Sequence, residues 1–345
     1  MTKVYVGMSG GVDSSLTAAL LKEQGYDVTG VYMKNWTQDL PGMKCPWADD
    51  LADAKRVAVQ LGIDFKVFDF ETEYKQKVVD YMIDEYKLGR TPNPDIMCNQ
   101  EVKFKLFLET ALEDGADMIA TGHYARTEDG VLKRAADTDK DQTYFLYRVS
   151  GDALRKTMFP LGDYTKPKVR EMAEERGLYT ATKKASQGIC FVGQIGIREF
   201  LTQYVEQKAG SIIDKQTNKV LGQHDGAIFY TIGQRHGLEL GGGLPYYVVG
   251  KDMDKNEVYV TTDLNDENLW KPQLELTAVH WINENPGDGD YAIRVRHRAQ
   301  LINARMSSEN GRTLLTLDHP ERAVAAGQSV VLYKDDICLG GGILI

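Results

Sequence analysis

Val4-Tyr5-Val6-Gly7-Met8-Ser9-Gly10-Gly11-Val12-Asp13-Ser14-Ser15 decides the fold. The first three residues form a short apolar strand, and Asp13 to Gln24 fits a helix that stops at Gly25. A strand, a glycine-rich turn and a helix make an anion site. Gly10-Gly11 lets the backbone curl so that successive N–H groups point inward. The helix start adds its positive dipole end, and Ser9 and Ser14 can donate hydroxyl hydrogens. A Gly-Gly pair alone is more often a plain helix start capped by Asp13. The whole Ser-Gly-Gly-x-Asp-Ser string after a strand outweighs that reading, and residues 7–14 are expected to hold a nucleotide. No lysine follows the glycines, as G-x-x-x-x-G-K-[ST] requires, and the spacing is not G-x-G-x-x-G.

Working outward, strands and helices continue to alternate. Val28–Met33, 65–68 and 117–120 read as strands, while 49–61 and 102–113 read as helices closed near Gly62 and Gly115. Such alternation predicts an α/β fold with a doubly wound parallel sheet. Residues 142–205 read as mostly helical, notably 166–176. Beyond about residue 207, short runs such as 227–230, 246–249 and 258–260 are separated by Gly, Asn and Asp turns. The expected organisation is a catalytic domain at 1–206, a small β-rich domain at 207–270 and a C-terminal β-barrel at 271–345.

The 345 residues are 42% hydrophobic and 26% charged, an ordinary globular composition. No apolar stretch approaches the roughly 18–20 residues that cross a bilayer, so no membrane partner is expected. The chain opens straight into a strand pattern without a leader, and the expectation is a cytoplasmic protein. A net charge of −9 argues against a nonspecific nucleic-acid coat. A local basic surface is still available at Arg294, Arg296, His297 and Arg298.

Ligands in such sheets bind beyond the carboxyl ends of the strands. There Met33 can pack on an adenine ring and Gly122 can let a ligand approach the backbone, while His123 is as readily structural as catalytic. Thr91-Pro92-Asn93-Pro94-Asp95-Ile96-Met97-Cys98-Asn99 is expected as a loop, because two prolines oppose a helix across it. Ser186-Gln187-Gly188-Ile189-Cys190-Phe191-Val192-Gly193 is a second cysteine-bearing loop. Thiolates are soft nucleophiles and sulfur carriers whose reactivity their surroundings set. Taken alone, both cysteines read more simply as buried and inert. A zinc site has little support, since neither cysteine belongs to a C-x-x-C pair.

The first loop resembles the PP-loop of the N-type ATP pyrophosphatases, which transfer AMP to a substrate oxygen and release pyrophosphate. Asp13 would then help hold Mg²⁺. With it stand Pro-Asn-Pro-Asp-Ile-x-Cys-Asn, Thr-Gly-His-Tyr-Ala-Arg, Asp-Gln-Thr-Tyr-Phe-Leu, Ser-Gln-Gly-Ile-Cys-Phe-Val and the terminal Cys-Leu-Gly-Gly-Gly, in that order. Together they resemble the bacterial tRNA-specific 2-thiouridylase (tRNA-uridine 2-sulfurtransferase) family across essentially the whole chain.

The resemblance implies an enzyme that uses ATP to adenylate the C2 oxygen of the wobble uridine in tRNAs for lysine, glutamate and glutamine. Sulfur from a cysteine persulfide then replaces that oxygen. Cys190 matches the persulfide carrier, loaded by a cysteine desulfurase or a carrier protein. Cys98 matches the nucleophile that ends in a transient Cys98–Cys190 disulfide, and Asp95 the general acid/base. Gly7, Met8, Ser9, Gly10, Gly11, Val12, Asp13, Ser14, Met33 and Gly122 match the nucleotide site. Asn93, Pro94 and Asp95 match contacts to the flipped-out base; Lys140, Asp141, Gln142, Arg296 and His297 match tRNA contacts. Cys45 and Cys338 match no role and read as structural. The rival readings are another PP-loop AMP-transferring enzyme with a different base or small-molecule substrate, and a non-catalytic RNA-binding protein that keeps the nucleotide fold. The first leaves both cysteines without a task, and the intact loop disfavours the second.

Overall fold

A computed structural model describes residues 1–39, 45–184, 196–241, 243–309 and 311–345. Its first unit is the expected parallel sheet. Strands β1 (Lys3–Gly7), β2 (Asp27–Lys34), β3 (Asp64–Asp69) and β4 (Met118–Ala120) join the short strand Thr157–Met158 in the order β3-β2-β1-β4-157/158, every pairing parallel. Side chains alternate faces along a strand, and both faces of β1 are covered. Val4 and Val6 pack with Ala18 and Leu21 of helix α1 (Val12–Glu23) and with Ala54 and Val57 of helix α2 (Trp47–Leu61). Tyr5 packs on the other side with Phe107 and Ile119. The order reverses between β1 and β4, and such a switch point opens a crevice at the carboxyl ends of the strands.

The segment 91–99 departs from the expected loop. Pro94–Met97 is a helical turn that runs on through a π-spaced stretch, Cys98–Leu106, into the helix Phe107–Glu113. Pro94 occupies the first turn, where its missing N–H costs nothing and its fixed φ suits a helix. Asn93 caps the turn by accepting from the Asp95 and Ile96 amides at 3.1 and 3.4 Å.

The central unit is a four-stranded sheet of 210–214, 220–224, 247–252 and 257–261. The run 227–230, read as strand, forms a 3₁₀ turn at Ala227–Phe229. There Gly226 takes φ +149°, and the Ala227 amide donates to Asn256 Oδ1 at 2.8 Å instead of to a neighbouring strand. The last unit is a closed six-stranded barrel, 270–281, 312–322, 302–309, 289–294, 329–334 and 337–344, sealed by antiparallel pairing of its first and last strands. A hairpin of the first unit, 126–128 with 131–133, extends that sheet by pairing Leu132 with Cys338 and Lys133 with Ile337.

Candidate active site

The loop after β1 curls as its glycines allow. Gly10 sits at φ +71°, and a Cβ there would collide with the Asp50 carbonyl oxygen of α2. Ser9 and Ser14 hydroxyls lie 3.3 Å apart, and Ser14 Oγ also accepts from the Ser9 amide at 3.2 Å. The N-cap position of α1 is Gly11, which offers no side-chain acceptor. The first-turn amides of this 12-residue helix therefore face the crevice without a capping group. An uncapped helix start of this kind has the geometry and dipole that suit an anion.

Opposite it stands the segment after β4. A Cβ on Gly122 would come within 2.9 Å of the Ser14 amide nitrogen, so the backbone there passes directly against the start of α1. Met33, at the end of β2, brings its methyl 3.0 Å from where a Gly7 Cβ would stand. The loop, Met33 and Gly122 therefore share one crevice. His123 accepts from or donates to Thr121 Oγ1 through Nδ1 at 2.7 Å and packs between the rings of Phe104 and Phe159. Desolvation, helped by Lys103, holds its pKa well below the ordinary value and favours the neutral ring.

Two residues complete the site without a signal in the loop motif. Lys166 opens the helix Lys166–Glu175 and reaches both carboxylate oxygens of Asp13, at 2.6 and 2.7 Å. Tyr124 donates its hydroxyl to Asp13 Oδ1 at 2.8 Å, and the Lys166 ammonium lies 5.7 Å from its ring centroid. Lys166 is not predictable from spacing, because a separate helix carries it, whereas Tyr124 stands in the Thr-Gly-His-Tyr-Ala-Arg motif. Among the described residues no group of three or more His, Cys, Asp or Glu could hold a metal. Asp13 beside a phosphate seat still has the chemistry of a Mg²⁺ ligand, with phosphate and water oxygens supplying the rest.

Cys98 is buried in the second turn of the helix that Asn93 caps. Farther along the same helix Phe104 touches His123, and Phe107 lies 3.6 Å from a Gly7 Cβ position. At about 1.5 Å per residue, Cys98 stands on the order of 10 Å along the helix from the floor of the loop. Asp95, one turn earlier, has its carboxyl pKa raised by desolvation, with Lys103 acting the opposite way. Asn99 donates to the Phe145 carbonyl at 2.9 Å, and the Phe145 ring packs on His297 at 4.5 Å between centroids. This brings a barrel residue alongside the Cys98 turn. Burial, then Arg298 and Arg294, push the His297 pKa down to about 4.

The other expected tRNA contacts sit differently. The Asp141 carboxylate is fully buried, accepts from the Ala135 amide and the Thr143 hydroxyl, and pairs with buried Arg294 at 3.0 Å. Its side chain is thus committed inside the protein. Gln142 clamps Tyr124, its Oε1 accepting from the Tyr124 amide at 2.8 Å and its own amide donating to the Tyr124 carbonyl at 2.9 Å. Lys140 is half-buried. Arg296 is partly exposed but donates to the Arg322 and Ala323 carbonyls.

Cys190 and the whole of its loop, 186–193, lie outside the described residues. On one side of that loop, Lys183 pairs with Asp50 and Asp53 of α2 at 2.8 and 2.7 Å, beside the phosphate loop. On the other, Phe200 packs against Trp36 in the same apolar cluster that contains Cys98. Cys45 and Cys338 are buried with thiol pKa values raised by desolvation, as structural thiols are.

Residues 2–194 match a family described as the tRNA methyl transferase HUP domain, 198–262 a tRNA methyl transferase PRC-barrel domain, and 271–344 an aminomethyltransferase beta-barrel domain. Curated relatives carry a different label. The tRNA-specific 2-thiouridylases MnmA of Enterococcus faecalis and Bacillus cytotoxicus are 47% and 46% identical, each match covering 99% of this chain, with 95% and 94% of the relative. The protein of that name from Bacillus subtilis is 46% identical over 99% of this chain and 95% of its own. The two descriptions disagree about the group transferred, and the relatives decide, because each is a whole protein matched end to end at 46–47% identity, whereas each family model describes one unit. No helix among the described residues is long and apolar enough to cross a membrane.

Proposed function

The chain belongs to the tRNA-specific 2-thiouridylase family, and from that membership we propose that it is an ATP-dependent tRNA-uridine 2-sulfurtransferase acting in the cytoplasm on the wobble uridine of tRNAs for lysine, glutamate and glutamine. One observation within the molecule carries the reading: a single helix runs from Asp95 and Cys98 to Phe107 beneath the phosphate loop. That helix ties the buried Cys98 thiol to the floor of the nucleotide seat, which supports reading the two as parts of one site.

The chemistry that suits this arrangement has three steps. The uridine C2 oxygen attacks the α-phosphorus of ATP and pyrophosphate departs, turning a poor leaving group into AMP, with the first-turn amides of α1 and the Ser9 and Ser14 hydroxyls holding phosphate oxygens. Mg²⁺, held by Asp13 and phosphate, would offset the charge of the leaving pyrophosphate. The terminal sulfur of a Cys190 persulfide, delivered by a cysteine desulfurase or a persulfide carrier, replaces AMP at C2. That leaves a Cys190–S–S–C2 adduct. The Cys98 thiolate attacks Cys190 Sγ, breaking its bond to the transferred sulfur, which departs as the 2-thiouridine. The resulting Cys98–Cys190 disulfide must be reduced by two electrons from a dithiol before the next turnover. Asp95, its pKa raised by burial, is suited to hold or pass a proton beside the base.

In this reading 1–206 is the catalytic domain, 207–270 a central β-rich spacer and 271–345 a barrel that helps seat tRNA. Asn93, Pro94, Lys140, Gln142, Arg296 and His297 are on its tRNA side. Asp141, only 1% exposed and paired with Arg294, braces this segment from inside instead of touching tRNA.

The test is reconstitution with ATP, tRNA, a cysteine desulfurase and labelled cysteine. Label should enter tRNA only when ATP is present. Cys190→Ser should abolish transfer while tRNA binding stays within about twofold of the parent; thiolation retained by that variant would remove the sulfur relay.

A further inference from the structure

The phosphate loop lacks the lysine that phosphate loops of the kinase type carry. A triphosphate seated on amides and hydroxyls alone would leave most of its charge unmatched. It would also lie beside Asp13, a carboxylate in the first turn of the same helix. Two like charges about 4 Å apart at a protein surface repel appreciably, so a cation is needed there.

The structure supplies one from another part of the chain. The Lys166 amide is pinned by Asp137 Oδ2 at 2.8 Å, fixing where its helix begins. The Lys166 side chain, only 13% exposed, then extends to Asp13 with its ammonium against the Tyr124 ring. Tyr124 is in turn fixed by Gln142 on both its amide and its carbonyl. Lysine, tyrosine and carboxylate thus form a braced cluster at the uncapped end of α1. Lys183, the other lysine near the loop, is already held between Asp50 and Asp53.

We propose that Lys166 is the phosphate-binding cation the loop itself lacks: Asp13 holds its ammonium at the mouth of the seat, and an incoming nucleotide triphosphate takes it over. The exchange frees Asp13 to face Mg²⁺, and Tyr124 keeps the carboxylate aimed by its hydroxyl bond. This rests on the ATP reading above, and the residue concerned touches substrate directly.

Equilibrium binding, with tRNA absent, separates the possibilities. The probes are adenosine and α,β-methylene-ATP with Mg²⁺, against the wild-type chain and Lys166→Gln, which keeps a hydrogen-bond donor for Asp13 but no charge. The variant should bind the triphosphate analogue about 10- to 100-fold more weakly, the size of a lost charged hydrogen bond. Adenosine should change by less than about twofold, and Lys166→Arg should recover part of the loss. Equal weakening of both ligands would make Lys166 a merely structural group, and no weakening of either would leave it paired with Asp13 throughout. A second measurement needs no variant. Amine acetylation of the wild-type chain, read by mass spectrometry, should show Lys166 reactivity altered by the analogue and unaltered by adenosine; unaltered reactivity with both overturns the inference. A wild-type chain that binds adenosine but not the analogue would instead remove the ATP reading.

Discussion

Asp13 accepts from Lys166 and Tyr124 at once, and His297 packs against the Phe145 and Tyr144 rings within the field of Arg298 and Arg294. Each is polar chemistry set by residues distant in sequence. For His297 this has a measurable consequence. Its pKa is down at about 4 in the folded chain against 6.5 ordinarily, through burial, Arg298, Arg294 and Lys140, with Asp141 opposing. Between those values the unfolded chain binds a proton that the folded chain does not, so stability falls as pH drops from about 6.5 toward 4 and levels off below. His224 and His280 are shifted in the same direction and contribute to the same limb. Denaturation midpoints across that window should therefore be flatter for His297→Gln than for the parent. Equal slopes would mean that His297 is solvated.

At the scale of elements, the strand and helix pattern of the first unit is readable because each piece is closed by a local signal. Gly62 ends α2 in the left-handed region, at φ +61°, and β1 alternates between two apolar faces. The turn at Pro94–Met97 was not readable from two prolines alone, since proline stops a helix only away from its first turn. Asn93 was the better signal, being a strong capping residue just before a proline. Replacing it with Ala should cost about 1 kcal/mol and loosen the Asp95–Cys98 turn. Urea denaturation measures the first effect and amide exchange at Asp95 and Ile96 the second; unchanged exchange would deny Asn93 the capping role. The Lys166–Asp13 pairing lay beyond sequence reading for another reason. It depends on where the Lys166 helix packs against α1, which no local pattern encodes.

Across the whole molecule, the first unit and the barrel are joined through polar as well as apolar contacts. Arg294 of the barrel is buried against Asp141, with its guanidinium 5.5 Å from the Tyr333 ring centroid. Arg294→Met would leave the buried carboxylate with Arg134, 3.7 Å away, as its remaining cation, at a cost of up to about 3–5 kcal/mol. Adding Asp141→Asn should restore much of it, and thermal denaturation of the single and double variants tests the pair; additive losses would deny the coupling. The hairpin 126–133, whose second strand pairs with 337–338, makes the junction stricter still. A gene cut near residue 270 would yield a carboxyl-terminal fragment with a bare sheet margin where Leu132 and Lys133 had been. It would yield an amino-terminal fragment with a stranded ribbon. The barrel is a late stretch of sequence, yet it is no detachable appendage, and shuffling it onto another nucleotide-binding scaffold would require that ribbon to travel with it.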